Sequence, residues 1–256
     1  MNHQPPGNIL LEVCVGSLAD AQAAAAAGAD RLELCSALEL GGLTPSYALI
    51  EQTVGEIGLP VVAMIRPRSG GFSYSDDETC CMLRDAELAI TAGAIGVVFG
   101  FLNASGEIDA LRTKAIVQLA AEHDTVFHRA FDFVPDRAAA LDELIELGVK
   151  RVLTTGGAAN AIDGADALGQ LITQASSRIE ILPGGGVTAA NVANLVATSG
   201  CKQIHTGAAK SAFDESIAAV DVARLCDLAR LSAGAQRVVD HRSVAELAQQ
   251  LQRIAT

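Results

Sequence analysis

The segment LLEVCVGSLADAQAAAAAGADRLELCS (residues 10–36) joins two short apolar runs by an Ala-rich stretch. Each run alternates Leu or Val with Glu and then Cys, a period of two that is typical of β-strands. The stretch between them has the length and composition of a helix. Because a helical crossover joins parallel strands, the two strands are predicted to be parallel neighbours. Two endings of the form Glu-x-Cys, Glu12–Cys14 and Glu33–Cys35, are then expected side by side.

The same strand-and-helix pattern continues along the chain. Eight apolar runs are predicted to be strands, at 9–15, 30–35, 60–66, 95–100, 125–129, 150–154, 178–183 and 202–206. Stretches of helical length separate them, and no linker-like stretch divides the chain. This pattern predicts an α/β fold, a single-domain (β/α)8 TIM barrel over residues 9–256. An open doubly wound sheet is the alternative, but the turn after the first strand lacks the Gly-rich phosphate fingerprint of that fold.

Two segments fall outside the repeat. Residues 1–8 are polar and contain two prolines, which predicts a flexible N-terminal tail. After the eighth strand, residues 208–236 are predicted to form an insertion with at least one extra helix. The final helix is predicted over 243–254.

The composition limits the classes of function. The chain has 256 residues and a formal net charge of −12, which argues against a nucleic-acid-binding surface. No apolar run approaches the roughly 20 residues that span a bilayer, so no membrane partner is expected. The six cysteines occur without a secretory signal, which indicates free thiols and a cytoplasmic protein.

Ionisable side chains concentrate where the predicted strands end. In a parallel barrel the active site lies at the carboxyl ends of the strands. Glu12, Glu33, His128 and His205 are therefore candidate catalytic acid/base residues, or ligands of a divalent metal. A purely structural alternative is a buried ionic plug, in which the two glutamates pair with Arg66 and Arg129.

A second set of residues at the same end favours binding of a small anion. Arg66, Arg129 and Asp132 end or follow strands three and five. The loops after strands seven and eight are rich in glycine, and such loops often bind phosphate in barrels, although they also form simple tight turns. The candidate substrate-binding residues are thus Arg66, Arg129, Asp132, Gly184, Gly185, Gly186 and Gly207.

Seven ordered motifs resemble the CutC copper-homeostasis family. They are LEVCVGS (11–17), GADRLELCSALELGGLTPS (28–46), MIRPRSGGFSYSDDE (64–78), FHRAFDFV (127–134), RVLTTGG (151–157), PGGGVTAANV (183–192) and IHTGA (204–208). The resemblance implies a TIM barrel, a cytoplasmic homo-oligomer and a role in copper handling. It also implies that Cys14 and Cys35 bind Cu(I), a soft ion that accepts thiolate ligands. The segment 210–215 departs from the family pattern, so contacts made by that family segment do not transfer.

Two functions follow from the sequence. The first is a CutC-like copper-homeostasis protein that binds Cu(I) at the mouth of the barrel. The alternative is a barrel enzyme, an isomerase or lyase, that acts on a small anionic or phosphorylated sugar-like substrate. The charged residues at the strand ends favour the alternative, because two thiols alone do not need them.

Overall fold

A computed structural model describes residues 9–213 and 235–255, and its centre is an eight-stranded parallel barrel. The strands are β1 (Leu10–Val15), β2 (Arg31–Leu34), β3 (Val61–Met64), β4 (Gly96–Phe99), β5 (Asp124–Phe127), β6 (Arg151–Thr154), β7 (Glu180–Pro183) and β8 (Gln203–Thr206). Neighbours in sequence are neighbours in the sheet from β1 to β7, and β8 pairs with β1. The predicted TIM barrel is confirmed, and all eight predicted runs contain a strand.

Helices surround the barrel and connect its strands. They are α1 (Leu18–Ala26), α2 (Tyr47–Ile57), α3 (Asp76–Thr91), α4 (Ala110–Ala120), α5 (Arg137–Glu146), α6 (Ala165–Ala175), α7 (Val192–Ser199) and α8 (His241–Ala255). Local sequence sets their ends: Ser75 accepts a hydrogen bond from Glu78 N–H, and the Glu78 carboxylate accepts one from Ser75 N–H. This reciprocal capping box fixes the start of α3.

Two apolar layers position the site. The larger one lies between strands and helices and includes the fully buried rings of Phe99, Phe101 and Phe127. The smaller one lies inside the barrel, where Val62, Val98, Val126, Leu153 and Leu182 pack with Cys35 and Met64. Because strand side chains alternate between the two faces, the same strands supply both layers.

The barrel closes where β7 meets β8. A parallel bridge joins Gly184, just after β7, to His205 in β8. The two chains approach so closely that a Cβ on Gly184 would lie 2.6 Å from Leu153 Cδ1 and 3.0 Å from His205 Cβ. Glycine therefore allows the closure and fixes His205 at the inner rim.

The segment after β8 differs in part from its predicted helical insertion. Strands β9 (Ala209–Phe213) and β10 (Ala235–Val239) form an antiparallel ribbon, in which Val239 N–H donates to Asp20 Oδ1 at 2.7 Å. The backbone pairing of β9 with β10 and the hydrogen bond to Asp20 of α1 favour strands here, although the alanines favour a helix. Residues 214–234, where the extra helix is predicted, lie outside the described residues, as does the predicted tail at 1–8.

The final helix begins two residues before its predicted start, at His241. No helix in the described ranges is both long and apolar enough to cross a membrane.

Candidate functional site

A cavity of about 300 Å³ opens at the carboxyl ends of the strands. Most of the predicted site residues line it: Cys14, Glu33, Cys35, Arg66, His128, Arg129, Gly185, Gly186, His205 and Gly207. Glu12, Asp132 and Gly184 lie behind this lining and hold parts of it in place. The barrel thus gathers residues that are far apart in the sequence, such as Glu12 and His205, which are in contact and 193 positions apart.

The two predicted metal-binding cysteines meet at this cavity. Cys14 Sγ lies 3.8 Å from Cys35 Sγ. The strands are staggered by two residues, so Cys14 is level with Glu33, whereas Glu12 is level with Arg31. The stagger brings Cys35 and Glu33 together with Cys14, so that their ligand atoms lie within 4.8 Å of one another.

Both thiols are held in the protonated form. The hydrogen bond with Cys35 lowers the pKa of Cys14, but burial and the nearby Glu33 carboxylate raise that pKa above its usual value. The hydrogen bond with Cys14, together with burial, raises the pKa of Cys35 well above its usual value. These pKa shifts favour the neutral thiols over the thiolates in the absence of a ligand.

His205 lies between the two predicted carboxylates. Its Nδ1 is 2.8 Å from Glu12 Oε1, and its Nε2 is 3.8 Å from Glu33 Oε2. Burial opposes the charged imidazole, but the two carboxylates outweigh it and raise the pKa of His205. Burial raises the pKa of Glu33, against the effect of His205. These three residues form a second group whose ligand atoms lie within 4.8 Å of one another.

Glu12 is a buried carboxylate behind the cavity lining, and it contacts both Arg31 and His205. Burial alone would raise its pKa, but Arg31 and His205 outweigh burial and lower it strongly. Arg31 Nε donates to Glu12, and Arg31 Nη2 donates to Gln203 Oε1 at 3.0 Å. The two oxygens of Glu12 therefore bind Arg31 and His205 within the barrel wall.

A buried ionic network exists, but its members differ from those of the predicted plug. Glu12 pairs with Arg31 rather than with Arg66 or Arg129. Deeper in the barrel, Arg151 donates to Glu180 Oε2 at 2.7 Å. Arg31 and Arg151 are not among the predicted site residues because both begin strands, where polar residues usually face solvent.

His128 is buried and neutral. Burial, together with the charge of Arg66, lowers its pKa to about 3. Its Nδ1 accepts a hydrogen bond from Ala130 N–H at 3.1 Å, which leaves the proton on Nε2. Within the described part of the chain Nε2 has no hydrogen-bond partner, although the residue is only 4% exposed.

Arg66 organises the loops around the mouth. Its Nη1 donates to the carbonyls of Leu40, Gly41 and Gly42, and its Nη2 donates to Gly70 O at 3.0 Å. Its guanidinium also lies over the ring of Phe72, 5.2 Å from the centroid. These contacts occupy the outer nitrogens that the predicted anion clamp would use.

Arg129 and Asp132 act as a pair on the other side of the mouth. Arg129 Nε donates to Asp132 Oδ2 at 2.9 Å, while the Arg129 side chain is 45% exposed. Asp132 Oδ1 also accepts from Thr154 Oγ1, from Thr155 N–H and from Gly157 N–H. Asp132 therefore positions both Arg129 and the loop after β6.

Seven residues that line the mouth were not among the predicted site residues: Leu38, Gly41, Gly42, Met64, Phe72, Leu153 and Arg237. Met64 belongs to the barrel interior, and a Cβ on Gly42 would lie within 4 Å of both Met64 Cε and Cys35 Sγ. Phe72 packs against His128, with ring centroids 4.9 Å apart. Arg237 enters from β10, 31 positions past the end of β8, and no local pattern connects it to the site.

Sequence comparisons agree on one family. The profile of the CutC family matches residues 9–210. A CutC family protein of Treponema denticola is 51% identical over 79% of this chain and 82% of its own length. A CutC family protein of Vibrio vulnificus is 46% identical over 76% of this chain and 79% of its own length.

Structural comparisons agree with them. A crystal structure of CutC from Streptococcus agalactiae, a protein named for copper homeostasis, aligns with a TM-score of 0.74 and 36% identity over 78% of this chain and 98% of that one. Thiamine phosphate pyrophosphorylase of Pyrococcus furiosus aligns with a TM-score of 0.57 and 14% identity over 97% of this chain and 98% of that one. The second likeness shows the barrel fold alone.

Proposed function

This chain belongs to the CutC family, and we propose that it serves copper homeostasis by binding Cu(I) between Cys14 and Cys35. The observation that carries the proposal is the distance of 3.8 Å between the two sulfurs. Metal–thiolate bonds are about 2.3 Å long for zinc, so two sulfurs on one metal ion are separated by at most about 4.6 Å.

The donor set supports a soft ion of low coordination number. Cu(I) is soft and prefers thiolate and thioether ligands. Two thiols meet here, and the Met64 thioether lies near Cys35 in the same apolar layer. Zn²⁺ sites usually take four ligands, whereas the group described around these thiols adds only Glu33.

A competition titration with Cu(I) tests the proposal. The metal-free, reduced protein is titrated anaerobically against a chromogenic Cu(I) chelator. We expect one tightly bound Cu(I) per chain in the wild type, and at least a hundredfold weaker binding in C14S and in C35S, because each variant leaves a single thiolate.

A double variant at two other cysteines serves as the matched control. Cys80 and Cys81 are exposed on α3, away from the mouth, so C80S/C81S removes two thiols but keeps the pair. This variant is expected to bind one Cu(I) with wild-type affinity. Unchanged binding in C14S and C35S, or loss of binding in C80S/C81S, contradicts the proposal.

Cellular location and assembly belong to the same proposal. A cytoplasmic protein is supported by the thiols of Cys14, Cys35, Cys80, Cys81 and Cys201, all of which are free. Homo-oligomerisation is the expectation from the family resemblance. Fractionation of the source cells and light scattering of the purified chain test the two expectations.

A further inference from the structure

The glycine loops at the mouth leave polar backbone groups without partners. Gly185 and Gly186 have φ angles of +101° and +72°, a conformation that glycine adopts without strain. No hydrogen bond joins the backbone N–H of Gly186 or Gly207 to the described residues. Such groups at the rim of a cavity form a concave site for an anion.

Neighbouring contacts fix the orientation of these peptides. Gly185 O accepts from Ala161 N–H at 2.9 Å, and Gly186 O accepts from Asn191 Nδ2 at 2.8 Å. The bond to Gly185 O fixes the peptide that carries Gly186 N–H, and the bond to Gly186 O fixes the next peptide, so Gly186 N–H is already oriented without a ligand. A preformed donor arrangement reduces the entropy that binding costs.

Two arginines flank the glycine loops. A Cβ on Gly185 would lie 3.6 Å from Arg129 Nη1, and one on Gly207 would lie 3.8 Å from Arg237 Nη2. Arg129 uses Nε for Asp132, which leaves its two outer nitrogens available. In the described part of the chain, Arg237 makes no ion pair. Positive charge is thus concentrated at this rim of a protein whose net charge is −12.

The lining of the same cavity also offers an unused donor and an unused acceptor. His128 Nε2 carries a proton and Glu33 Oε1 has lone pairs, and neither atom has a partner within the described residues. Buried polar atoms are normally hydrogen-bonded, because an unmade bond costs roughly 1–3 kcal/mol. A ligand hydroxyl, which both donates and accepts, complements such a pair.

We propose that the mouth cavity binds a small hydroxylated phosphomonoester. Its phosphate lies against the N–H groups of Gly186 and Gly207 and between Arg129 and Arg237, and its hydroxyl end reaches His128 and Glu33. The cavity volume of about 300 Å³ is at the small end of ligand pockets, which matches a molecule the size of a short sugar phosphate. This site is distinct in chemistry from the proposed Cu(I) pair beside it.

Calorimetric titration of the metal-free, reduced protein tests the proposal. The probes are ribose 5-phosphate, inorganic phosphate and ribose. We expect ribose 5-phosphate to bind at least tenfold more tightly than either fragment, because only this probe contacts both the glycine loops and the pair of His128 and Glu33.

Variants then separate the two ends of the site. R237Q is expected to weaken both ribose 5-phosphate and inorganic phosphate at least tenfold. H128N keeps an acceptor for Ala130 N–H but loses the Nε2 donor, so it is expected to weaken ribose 5-phosphate alone. R84Q, a change at an exposed arginine on α3, is the control and is expected to match the wild type.

The proposal is overturned if the wild type binds none of the probes, or if R237Q binds both phosphates as the wild type does. R129Q gives a second measurement at the same rim, and thermal melting verifies that each variant is folded. Cu(I) binding is measured without phosphate and phosphate binding without copper, so the two proposals fail independently.

Discussion

At the scale of single residues, His128 shows how its surroundings set protonation in this barrel. Its imidazole is enclosed beneath Phe72 and near the charge of Arg66, so the proton that it would bind in water is excluded. At Glu12 the partners prevail: burial would raise the pKa of this carboxyl, but Arg31 and His205 lower it. Burial dominates at His128, whereas at Glu12 the charged partners outweigh burial.

The buried histidine predicts a stability that depends on pH. Between pH 6.5 and about 3 the unfolded chain binds a proton at His128 that the folded protein excludes. The free energy of unfolding therefore falls as the pH is lowered through this range, by up to roughly 1.4 kcal/mol per pH unit from this residue. Urea unfolding of wild type and H128N at pH 7, 6 and 5 measures the contribution. A slope that is the same in both proteins contradicts it.

At the scale of elements, close strand contacts decide where a side chain is tolerated. Gly96 in β4 is level with Asp124 in β5, and a Cβ on Gly96 would overlap the carbonyl oxygen and the Cβ of Asp124. Neither backbone can move without breaking the ladder between β4 and β5. Gly55 in α2 is exposed, and a Cβ there meets nothing within 4 Å.

Alanine substitutions at these two glycines are predicted to act in opposite directions. G96A forces the strands apart and lowers the free energy of unfolding by about 1–3 kcal/mol. G55A removes backbone freedom from the unfolded chain and improves helix propensity, so it raises the same quantity by about 0.5–1 kcal/mol. Chemical denaturation measures both. G96A with wild-type stability would show that the β4–β5 contact is looser than described.

At the scale of the whole molecule, the C-terminal helix completes the wall around the first and last units. Helix α8 packs on both α1 and α7, and it buries Val244, Leu247 and Leu251. Strand β10, which comes just before α8, packs on α1 and carries Arg237 to the mouth. The end of the chain is thereby coupled to the start of the barrel.

Truncation of one core side chain on α8 measures this coupling. L247A removes a side chain that is 1% exposed, and it is predicted to lower the free energy of unfolding by about 2–5 kcal/mol through the lost burial and the remaining cavity. L111A removes a leucine that is 81% exposed on α4, and it is expected to change stability by less than about 0.5 kcal/mol. Equal effects of the two substitutions would mean that α8 is not part of the cooperative core.

The sequence by itself determined the barrel, because its evidence is local and periodic. Strands and helices alternate eight times, several helices carry capping residues or end near a glycine, and each unit follows from short-range sterics and burial. The sequence also indicated most of the mouth, since residues that follow strand ends converge in any parallel barrel. Cys14 and Cys35 lie at the ends of the first two predicted strands, so the sequence alone places them at the mouth.

Only the tertiary structure decided which of these groups pair. The stagger of two residues between β1 and β2 places Cys14 level with Glu33. It also places Glu12 level with Arg31, and these two side chains form an ion pair. Arg66 is occupied by loop carbonyls, and Arg237 reaches the mouth from a ribbon far along the chain. Register, barrel closure and long-range pairing depend on the packing of distant segments, so the periodicity of any one segment does not determine them.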